Sequence, residues 1–359
     1  MAGKLGYPRQ MRRKRKGRKV PAATPPLAAL MAALLLAGCG QLVYPTGQGP
    51  SPSDSAPSTK ASPTSAPLPS SPAWIPAGQV AGVANGLLNR LEPPCQVQLE
   101  MYELGNQTLV SDLIQAHKRG CQEQVMLDGT ESQSIAAAGQ LSTAGVAVKL
   151  AHIPNGIDHV KALVVDGGKV VLIGGVNWGR YSSYTADADM LIPQDPVAAA
   201  RLTADWASTT KDWSGGQVGP EALEGPAISQ AMLSVIASAK SKLLVITNYA
   251  TSYVVQDALA SDAAHGVTVD VLLNPLGYGA KGAAAWLSNH HVHVRWAPNS
   301  PYLHAKVILS TTEGLGGSAN LSYHGLSVNR EMDAMVPASL LPAAWAWGEA
   351  LWGKGTPAG

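Results

Sequence analysis

Apolar and polar residues follow two different periods along the body of the chain. In its first part, residues 109–119 and 132–144 have the spacing of amphipathic helices, whereas residues 123–127 and 146–152 are short apolar runs typical of strands. Strands that are separated by helices indicate α/β units. We therefore predict an α/β fold in which a mixed, mostly parallel sheet is flanked by helices.

The same order of elements occurs a second time further along the chain, since residues 78–214 resemble residues 227–353. The pattern therefore predicts two similar halves, at 75–215 and 227–353, which are joined by a linker at 216–226. For the second half it predicts helices at 228–239, 254–265 and 282–289 and strands at 242–249, 267–273 and 291–296.

The N-terminal region differs from this body in composition. Nine of the 26 Lys and Arg residues lie within residues 4–19, and an apolar run at 27–37 follows them. This layout is typical of a secretory signal, here predicted at 1–38. Leu36-Ala37-Gly38-Cys39 resembles the lipobox of bacterial lipoproteins, which implies that Cys39 is lipidated, for example with palmitate. An ordinary signal peptide and a short membrane helix are the alternatives.

Residues 39–74 are rich in Pro, Ser and Thr, with almost no large apolar side chains. Such a segment cannot bury enough surface to fold, so we predict a disordered tether. Anchor and tether together predict an exported monomer that Cys39 holds on the extracytoplasmic face of a membrane. In that oxidising compartment we expect a disulfide between Cys95 and Cys121, with two buried free thiols as the alternative.

Two copies of one short motif carry the candidate chemistry. The first half contains His159-Val-Lys161, and the second contains His304-Ala-Lys306. Side chains two positions apart on a strand share a face, so each imidazole and its ammonium are predicted to point the same way. After a hairpin each half continues with Gly-x-x-Asn, in which glycine allows a close backbone approach. The residues predicted to contact phosphate in these loops are Gly175, Asn177, Ser318 and Asn320.

An acidic residue follows each motif at a similar distance. Asp187 lies 28 residues after His159, and Glu331 lies 27 residues after His304, so we predict that these carboxylates orient the imidazoles. Asp166 lies closer to the first motif, but alternation along the strand places it on the opposite face from His159.

The paired His-x-Lys-x4-Asp and Gly-Ser-x-Asn elements resemble those of the phospholipase D superfamily, including cardiolipin synthase-like members, over nearly the whole body. The resemblance implies that the two halves pack with the active site between them. It further implies that His159 attacks phosphorus to form a phosphohistidine and that His304 protonates the leaving alcohol. It also implies that both lysines and both asparagines hold the phosphate oxygens, that Asp166 belongs to the catalytic set, and that neither a metal nor a cofactor is needed.

The chain departs from the family pattern at two positions. Thr311 stands where the second motif has Asp, and Gly175 stands where the first has Ser. The segment His290-His291-Val-His293 is the alternative metal cluster, but it has no neighbouring carboxylate in sequence and fits a polar strand face better.

Net charge bears on the substrate. Outside the basic N-terminal stretch, 17 basic residues stand against 24 acidic ones, which leaves a net charge of −7. Non-specific nucleic-acid binding depends on Lys and Arg, so an acidic body favours a phospholipid membrane as the partner. We therefore predict a phosphodiesterase that hydrolyses or transfers phosphatidyl groups. The alternatives are an endonuclease of the same superfamily and a non-catalytic phosphate-binding module, such as a duplicated inactive fold.

Overall fold

The structure of the protein is a computed structural model that describes residues 67–208, 216–217 and 222–359. The predicted signal peptide at 1–38, Cys39 and most of the predicted tether lie outside the described residues. Within the described part of the chain, no helix combines the length and the apolar character that crossing a bilayer requires.

Strands and helices alternate in the first half, as its pattern predicts. Its elements are β1 (Ala73–Pro76), α1 (Ala77–Asn89), β2 (Gln96–Met101), α2 (Gln107–Arg119), β3 (Gln122–Asp128), α3 (Ser132–Thr143), β4 (Val148–Ala151), β5 (Lys161–Val165), β6 (Val170–Gly174), a 3₁₀ turn (Ser182–Tyr184), β7 (Thr185–Ala186), β8 (Ala188–Pro193) and α4 (Pro196–Trp206).

The second half repeats this order with further short strands. Its elements are β9 (Gly216–Gln217), β10 (Ala222–Glu224), α5 (Pro226–Ser238), β11 (Lys242–Thr247), α6 (Tyr253–Ala264), β12 (Thr268–Leu273), α7 (Ala280–Asn289), β13 (His293–Trp296), β14 (Tyr302–Leu303), β15 (Lys306–Ser310), β16 (Gly314–Gly317), α8 (Tyr323–Ser327), β17 (Met332–Met335), α9 (Leu341–Trp352) and β18 (Thr356–Pro357).

Each half is built on one mixed sheet. The strand order is β1-β8-β6-β5-β2-β3-β4 in the first half and β18-β13-β12-β11-β15-β16-β17-β10-β9 in the second. Among the described strands of these two sheets, only β2-β3-β4 and β11-β12-β13 pair in parallel. The α/β fold with two similar halves is confirmed, but the prediction of mostly parallel sheets is wrong. Helices return the chain between the parallel strands, whereas direct hairpins such as β5-β6 and β15-β16 make antiparallel pairs.

Two of the predicted boundaries also shift. Ala73 and Trp74, which were predicted as the end of the tether, lie in β1 and pair with Leu191 and Met190 of β8. Within the predicted linker, β10 pairs antiparallel with β17 and extends the second sheet. Both segments gain backbone hydrogen bonds at a sheet edge, which the composition of an isolated segment does not show.

Three apolar cores hold these layers together. One lies under the helices of the first half and another under the helices of the second. The central core mixes the halves, because Val160 and Ile173 of the first pack in one cluster with Val307 and Met332 of the second. Burial of this shared apolar surface favours the association of the two sheets. The halves are therefore one folded body around a common interior.

The two cysteines of the body meet at the ends of neighbouring strands. Cys95 and Cys121 precede β2 and β3, which pair in parallel from Gln96 and Gln122 onward. Their sulfur atoms form a disulfide, and their Cα atoms are 4.6 Å apart. The link joins the starts of the two strands at the sheet end where Asp166 lies.

Candidate active site

The two motif histidines are bound to the opposite half through their backbones. The N–H of His159 donates to the carbonyl oxygen of Arg330 at 2.8 Å, and the N–H of His304 donates to that of Ala186 at 3.1 Å. Strand β14, which precedes His304, pairs in parallel with β7 of the first half. Each histidine therefore sits on a segment whose position is set by the other half.

The orienting carboxylates follow the same crossed arrangement. Nδ1 of His159 lies 2.8 and 3.0 Å from the two carboxylate oxygens of Glu331, and Nδ1 of His304 lies 2.8 Å from Oδ2 of Asp187. Both predicted acids contact imidazoles, and each contacts the histidine of the other half. A carboxylate on Nδ1 favours the tautomer whose Nε2 is unprotonated and able to react.

Both imidazoles line one cavity of about 970 Å³, so the two halves do meet at a single place. The side chain of His159 is 6% exposed and that of His304 is 17% exposed. Two lysines are buried beside them: Lys161 donates to the carbonyl oxygen of His159, and Nζ of Lys306 lies 3.0 and 3.1 Å from the ring nitrogens of His304. Two imidazoles that line the cavity, with two amines buried directly beside them, suit an anionic phosphodiester.

Burial sets the protonation states of this cluster. It lowers the pKa of Lys161 to about 7 and that of Lys306 to about 8, although the nearby carboxylates oppose the change. Burial, followed by the neighbouring lysines, lowers the pKa of His304 to about 4 and that of His159 well below its usual value. Both imidazoles are thus neutral near pH 7. An entering phosphate anion opposes the lysine charges and raises the pKa of a nearby imidazole.

The loop asparagines lie on different sides of His304. Asn320 lines the large cavity, whereas Asn177 lines a smaller cavity that His304 also borders. Among the described residues, the side-chain oxygen of each asparagine is buried and has no hydrogen-bond partner. Each carboxamide therefore keeps an acceptor that can take a hydrogen bond from a ligand.

The two loops differ where the family pattern has serine. The Ser318 hydroxyl accepts a hydrogen bond from the N–H of Met332 at 2.9 Å and donates one to Glu331. Burial raises the pKa of Glu331 to about 7, and the charge of Lys161, followed by this hydrogen bond, opposes the rise. At Gly175, a Cβ atom would lie 2.5 Å from Oδ1 of Asp187. The shorter acid of the first half occupies the space that a serine side chain needs.

Asp166 lies away from this site, and its predicted catalytic role is corrected by the geometry. It sits at the hairpin turn beyond β5, where its carboxylate accepts from the N–H of Gln96 at 3.1 Å and lies 3.3 Å from Nζ of Lys169. Five residues separate it from Lys161, which corresponds to about 16 Å along an extended strand. Thr311 is exposed at the equivalent turn of the second half, so this departure from the family pattern does not touch the histidines.

Two further carboxylates behind the loops were missed by the sequence reasoning. Asp189 accepts from the N–H of Val176 at 3.0 Å, and Asp333 accepts from the N–H of Ala319 at 2.9 Å. Burial raises the pKa of Asp333 to about 8 and that of Asp189 well above its usual value. The acid-x-acid pattern, repeated two residues after each orienting acid, was the available signal.

A buried arginine also links the halves beside the site. Arg330, only 1% exposed, lies 3.4 Å from Glu100, 3.6 Å from Asp158 and 3.8 Å from Asp205, and it donates to the carbonyl oxygen of Ser208 at 2.6 Å. It adjoins Glu331 in sequence, and Asp158 adjoins His159. The cluster therefore fixes the two backbones that carry one of the crossed pairs.

The alternative metal cluster does not assemble. His291 lies in a turn with φ of 65° ahead of β13, His293 lies 3.1 Å from Asp270, and His290 stacks on Trp286. In the described part of the chain, no group of three or more His, Cys, Asp or Glu side chains is arranged to hold a metal ion.

Comparison with known families gives one match that spans both halves. Residues 93–209 and 232–345, together more than half of the chain, match the family model described as "Cardiolipin synthase, PLD-like domain". The matched segments contain both histidines, both lysines and both orienting acids. Comparison with curated proteins finds no match.

Similar folds occur among solved structures. Phosphatidylserine synthase from Haemophilus influenzae is similar with a TM-score of 0.62 and 12% identity over 80% of this chain and 87% of that chain. Polyphosphate kinase from Porphyromonas gingivalis has a TM-score of 0.60 and 14% identity over 77% of this chain and 46% of that chain, so this chain spans less than half of that kinase. The phospholipase D family member Nuc from Salmonella typhimurium is 21% identical over 39% of this chain and 98% of that chain, with a TM-score of 0.36.

Proposed function

The chain belongs to the PLD-like family of the cardiolipin synthase type, and from this membership we propose that it hydrolyses or transfers phosphatidyl groups through a phosphohistidine intermediate. The observation that carries the proposal is the crossed pairing of His159 with Glu331 and of His304 with Asp187 around one cavity. Paired imidazoles suit a displacement that proceeds in two steps.

In the first step, Nε2 of His159 attacks phosphorus while its Nδ1–H donates to Glu331. The P–N bond forms, the P–O bond to the headgroup alcohol breaks, and His304 gives its proton to the leaving oxygen. In the second step, His304 takes the proton of water or of an acceptor alcohol, whose oxygen attacks phosphorus as the P–N bond breaks. Lys161 and Lys306 stabilise the charge on the non-bridging oxygens in both steps.

The mouth of the site supports a lipid as the substrate. Three of the large exposed apolar side chains, Tyr253, Tyr278 and Tyr323, line the large cavity, and Tyr181 lines the smaller one. Among the described residues that border the large cavity there is no Lys or Arg. Tyrosine suits the boundary between membrane and water, whereas a polynucleotide needs cationic side chains along its path.

A parallel assay tests the proposal. The body is incubated with vesicles of phosphatidylcholine, vesicles of phosphatidylglycerol and plasmid DNA, each with a chelator present, and headgroup release and DNA nicking are measured. We expect release from lipid that the His159→Ala variant does not show. Cleavage of DNA alone would support an endonuclease, and phosphate binding without any cleavage would support a binding module.

We also propose that Cys39 carries the lipid anchor and that the tether keeps the site beside the bilayer. The support for this is the sequence pattern alone. Labelling of cells with an alkyne analogue of palmitate tests it, because a Cys39→Ala variant should lose both the label and the membrane fraction. Retention of both would contradict the anchor.

A further inference from the structure

A second, smaller cavity adjoins the site on one side of His304. Its volume is about 190 Å³, against about 970 Å³ for the large cavity. The two cavities share His304 and Tyr302, whereas His159 borders only the large one. The smaller cavity is lined by Glu103, Asn177, Tyr181, Ser182, Thr185, Tyr302 and His304.

The position of this cavity matches the path of the leaving group. In an in-line displacement the attacking and leaving atoms lie on opposite sides of phosphorus. With His159 as the nucleophile, the leaving alcohol departs on the side of His304. The smaller cavity is therefore the compartment next to the proton donor, and the large cavity, with its tyrosines, remains for the two acyl chains.

A half-buried carboxylate gives the smaller cavity its charge. Among the described residues, Glu103 receives one side-chain hydrogen bond, from Gln133, and forms no ion pair. Burial, followed by the neighbouring Glu131, raises the pKa of Glu103. A Cβ atom at residue 179 would overlap this carboxylate, so the glycine there leaves room for it. The charge of Lys161 opposes this rise in pKa more weakly, and among the described residues no cationic side chain forms an ion pair with Glu103.

The other lining residues fit the same partner. The rings of Tyr181 and Tyr302 border the cavity, and aromatic faces attract ammonium groups. The side-chain oxygen of Asn177 is buried without a partner. The hydroxyls of Ser182 and Thr185 are already engaged with backbone groups at 3.0 and 2.7 Å. The carboxylate, the carboxamide and the two rings thus remain for a ligand.

We propose that the smaller cavity binds the headgroup alcohol and that Glu103 selects headgroups that carry an ammonium group, as in choline or ethanolamine esters. This inference rests on the proposed function. An ammonium group beside Glu103 supplies a cation in direct contact, whereas an uncharged or anionic headgroup leaves the carboxylate without an ion-pair partner in a partly desolvated place.

The test compares two lipids in one enzyme. The values of kcat/KM are measured on phosphatidylcholine and phosphatidylglycerol vesicles for the wild type, for Glu103→Gln and for a matched control, Glu92→Gln, whose carboxylate is exposed and outside the cavity. We expect the wild type to prefer phosphatidylcholine and Glu103→Gln to lose about tenfold of that preference, the scale of one charge-assisted contact. The control should keep the wild-type ratio, and melting temperatures verify folding.

The outcomes separate the two proposals. If Glu103→Gln leaves the ratio of kcat/KM for the two lipids unchanged, the role of Glu103 is overturned while the proposed function stands. The same holds if the wild type prefers phosphatidylglycerol. If no lipid is cleaved at all, the proposed function fails, and titration with choline chloride then decides on the cavity. If choline binds to the wild type and not to Glu103→Gln, the ammonium site is supported. If choline does not bind to the wild type, the ammonium site is overturned.

Discussion

The two motif histidines occupy equivalent positions in the two halves but have unequal surroundings. His159 is almost fully buried, contacts both oxygens of Glu331 and borders one cavity. His304 is more exposed, contacts one oxygen of Asp187 and stands where two cavities meet. The two copies of the scaffold thus differ in their neighbouring side chains, and this difference supports the proposal that His159 is the shielded nucleophile and that His304 carries the proton to the departing alcohol.

The largest effect should separate these two roles directly. His159→Ala and His304→Ala should each lower turnover of phosphatidylcholine by about 10⁴-fold. On phosphatidyl-p-nitrophenol, in which nitrophenol takes the place of the headgroup alcohol and departs as a stable anion, His304→Ala should still release about one equivalent of nitrophenolate and then stop as the phosphohistidine. His159→Ala should give no burst in rapid-quench measurements. Equal bursts from both variants would contradict the assignment of roles.

A second comparison concerns two arginines. Arg330→Met leaves three carboxylates buried around an uncharged side chain, so it should lower the free energy of unfolding by about 3–5 kcal/mol. Arg295→Met removes a hydrogen bond to the carbonyl oxygen of Trp352 in a more exposed place and should cost about 1 kcal/mol. Urea unfolding followed by tryptophan fluorescence measures both. Similar losses would show that Arg330 does not hold the halves together.

The residue that differs between the two Gly-x-x-Asn loops can be exchanged in both directions. Gly175→Ser pushes a side chain against Asp187 and should lower kcat by about 100-fold, with little change in KM, because His304 loses its orienting acid. Ser318→Gly removes the hydrogen bond that the serine hydroxyl donates to Glu331, and it should lower kcat about tenfold.

The pH profile distinguishes positioning from general loss of structure. The hydrogen bond from Ser318 lowers the pKa of Glu331, so without it that pKa rises and the acidic limb of kcat/KM should move to higher pH. Gly175→Ser leaves that hydrogen bond in place and should leave this limb where it is. A shift in Gly175→Ser, or none in Ser318→Gly, would contradict the role given to each loop.

The smallest effects are expected at the two hairpin turns. Asp166→Asn should cost about 1 kcal/mol of stability, because it weakens the contacts of that carboxylate with Gln96 and Lys169, and should change kcat less than twofold. Thr311→Asp, which restores the family residue in the second half, should also leave kcat unchanged. A large gain in activity from Thr311→Asp would place that turn in the catalytic machinery after all.

The sequence predicts what local periodicity and duplication encode. The helices and strands around both motifs lie within a few residues of their predicted bounds, because their apolar spacing is regular and each was seen twice. Spacing likewise identified Asp187 and Glu331, since equivalent positions in a repeat have equivalent environments. It did not show which histidine each acid contacts, because that depends on how the halves pack.

The features that the sequence did not show are long-range contacts. Nothing in the local pattern around Arg330 indicates that its side chain enters the first half, and β7 and β14 are two residues long and form only by pairing with each other. The mostly parallel sheet was wrong for a related reason. Alternating helices suggest crossovers, but the hairpin that was predicted after each motif adds antiparallel strands, and the prediction of the sheet did not take these into account.

The crossed carboxylates have a consequence for how the two copies can change over time. A substitution at residue 187 acts first on the imidazole at 304, and one at 331 acts first on the imidazole at 159. Neither copy of the motif can lose its function while the other copy stays active, so natural selection acts on both copies together. The two halves, expressed as separate fragments, should accordingly show no turnover alone and should regain it only when they are mixed and reassemble.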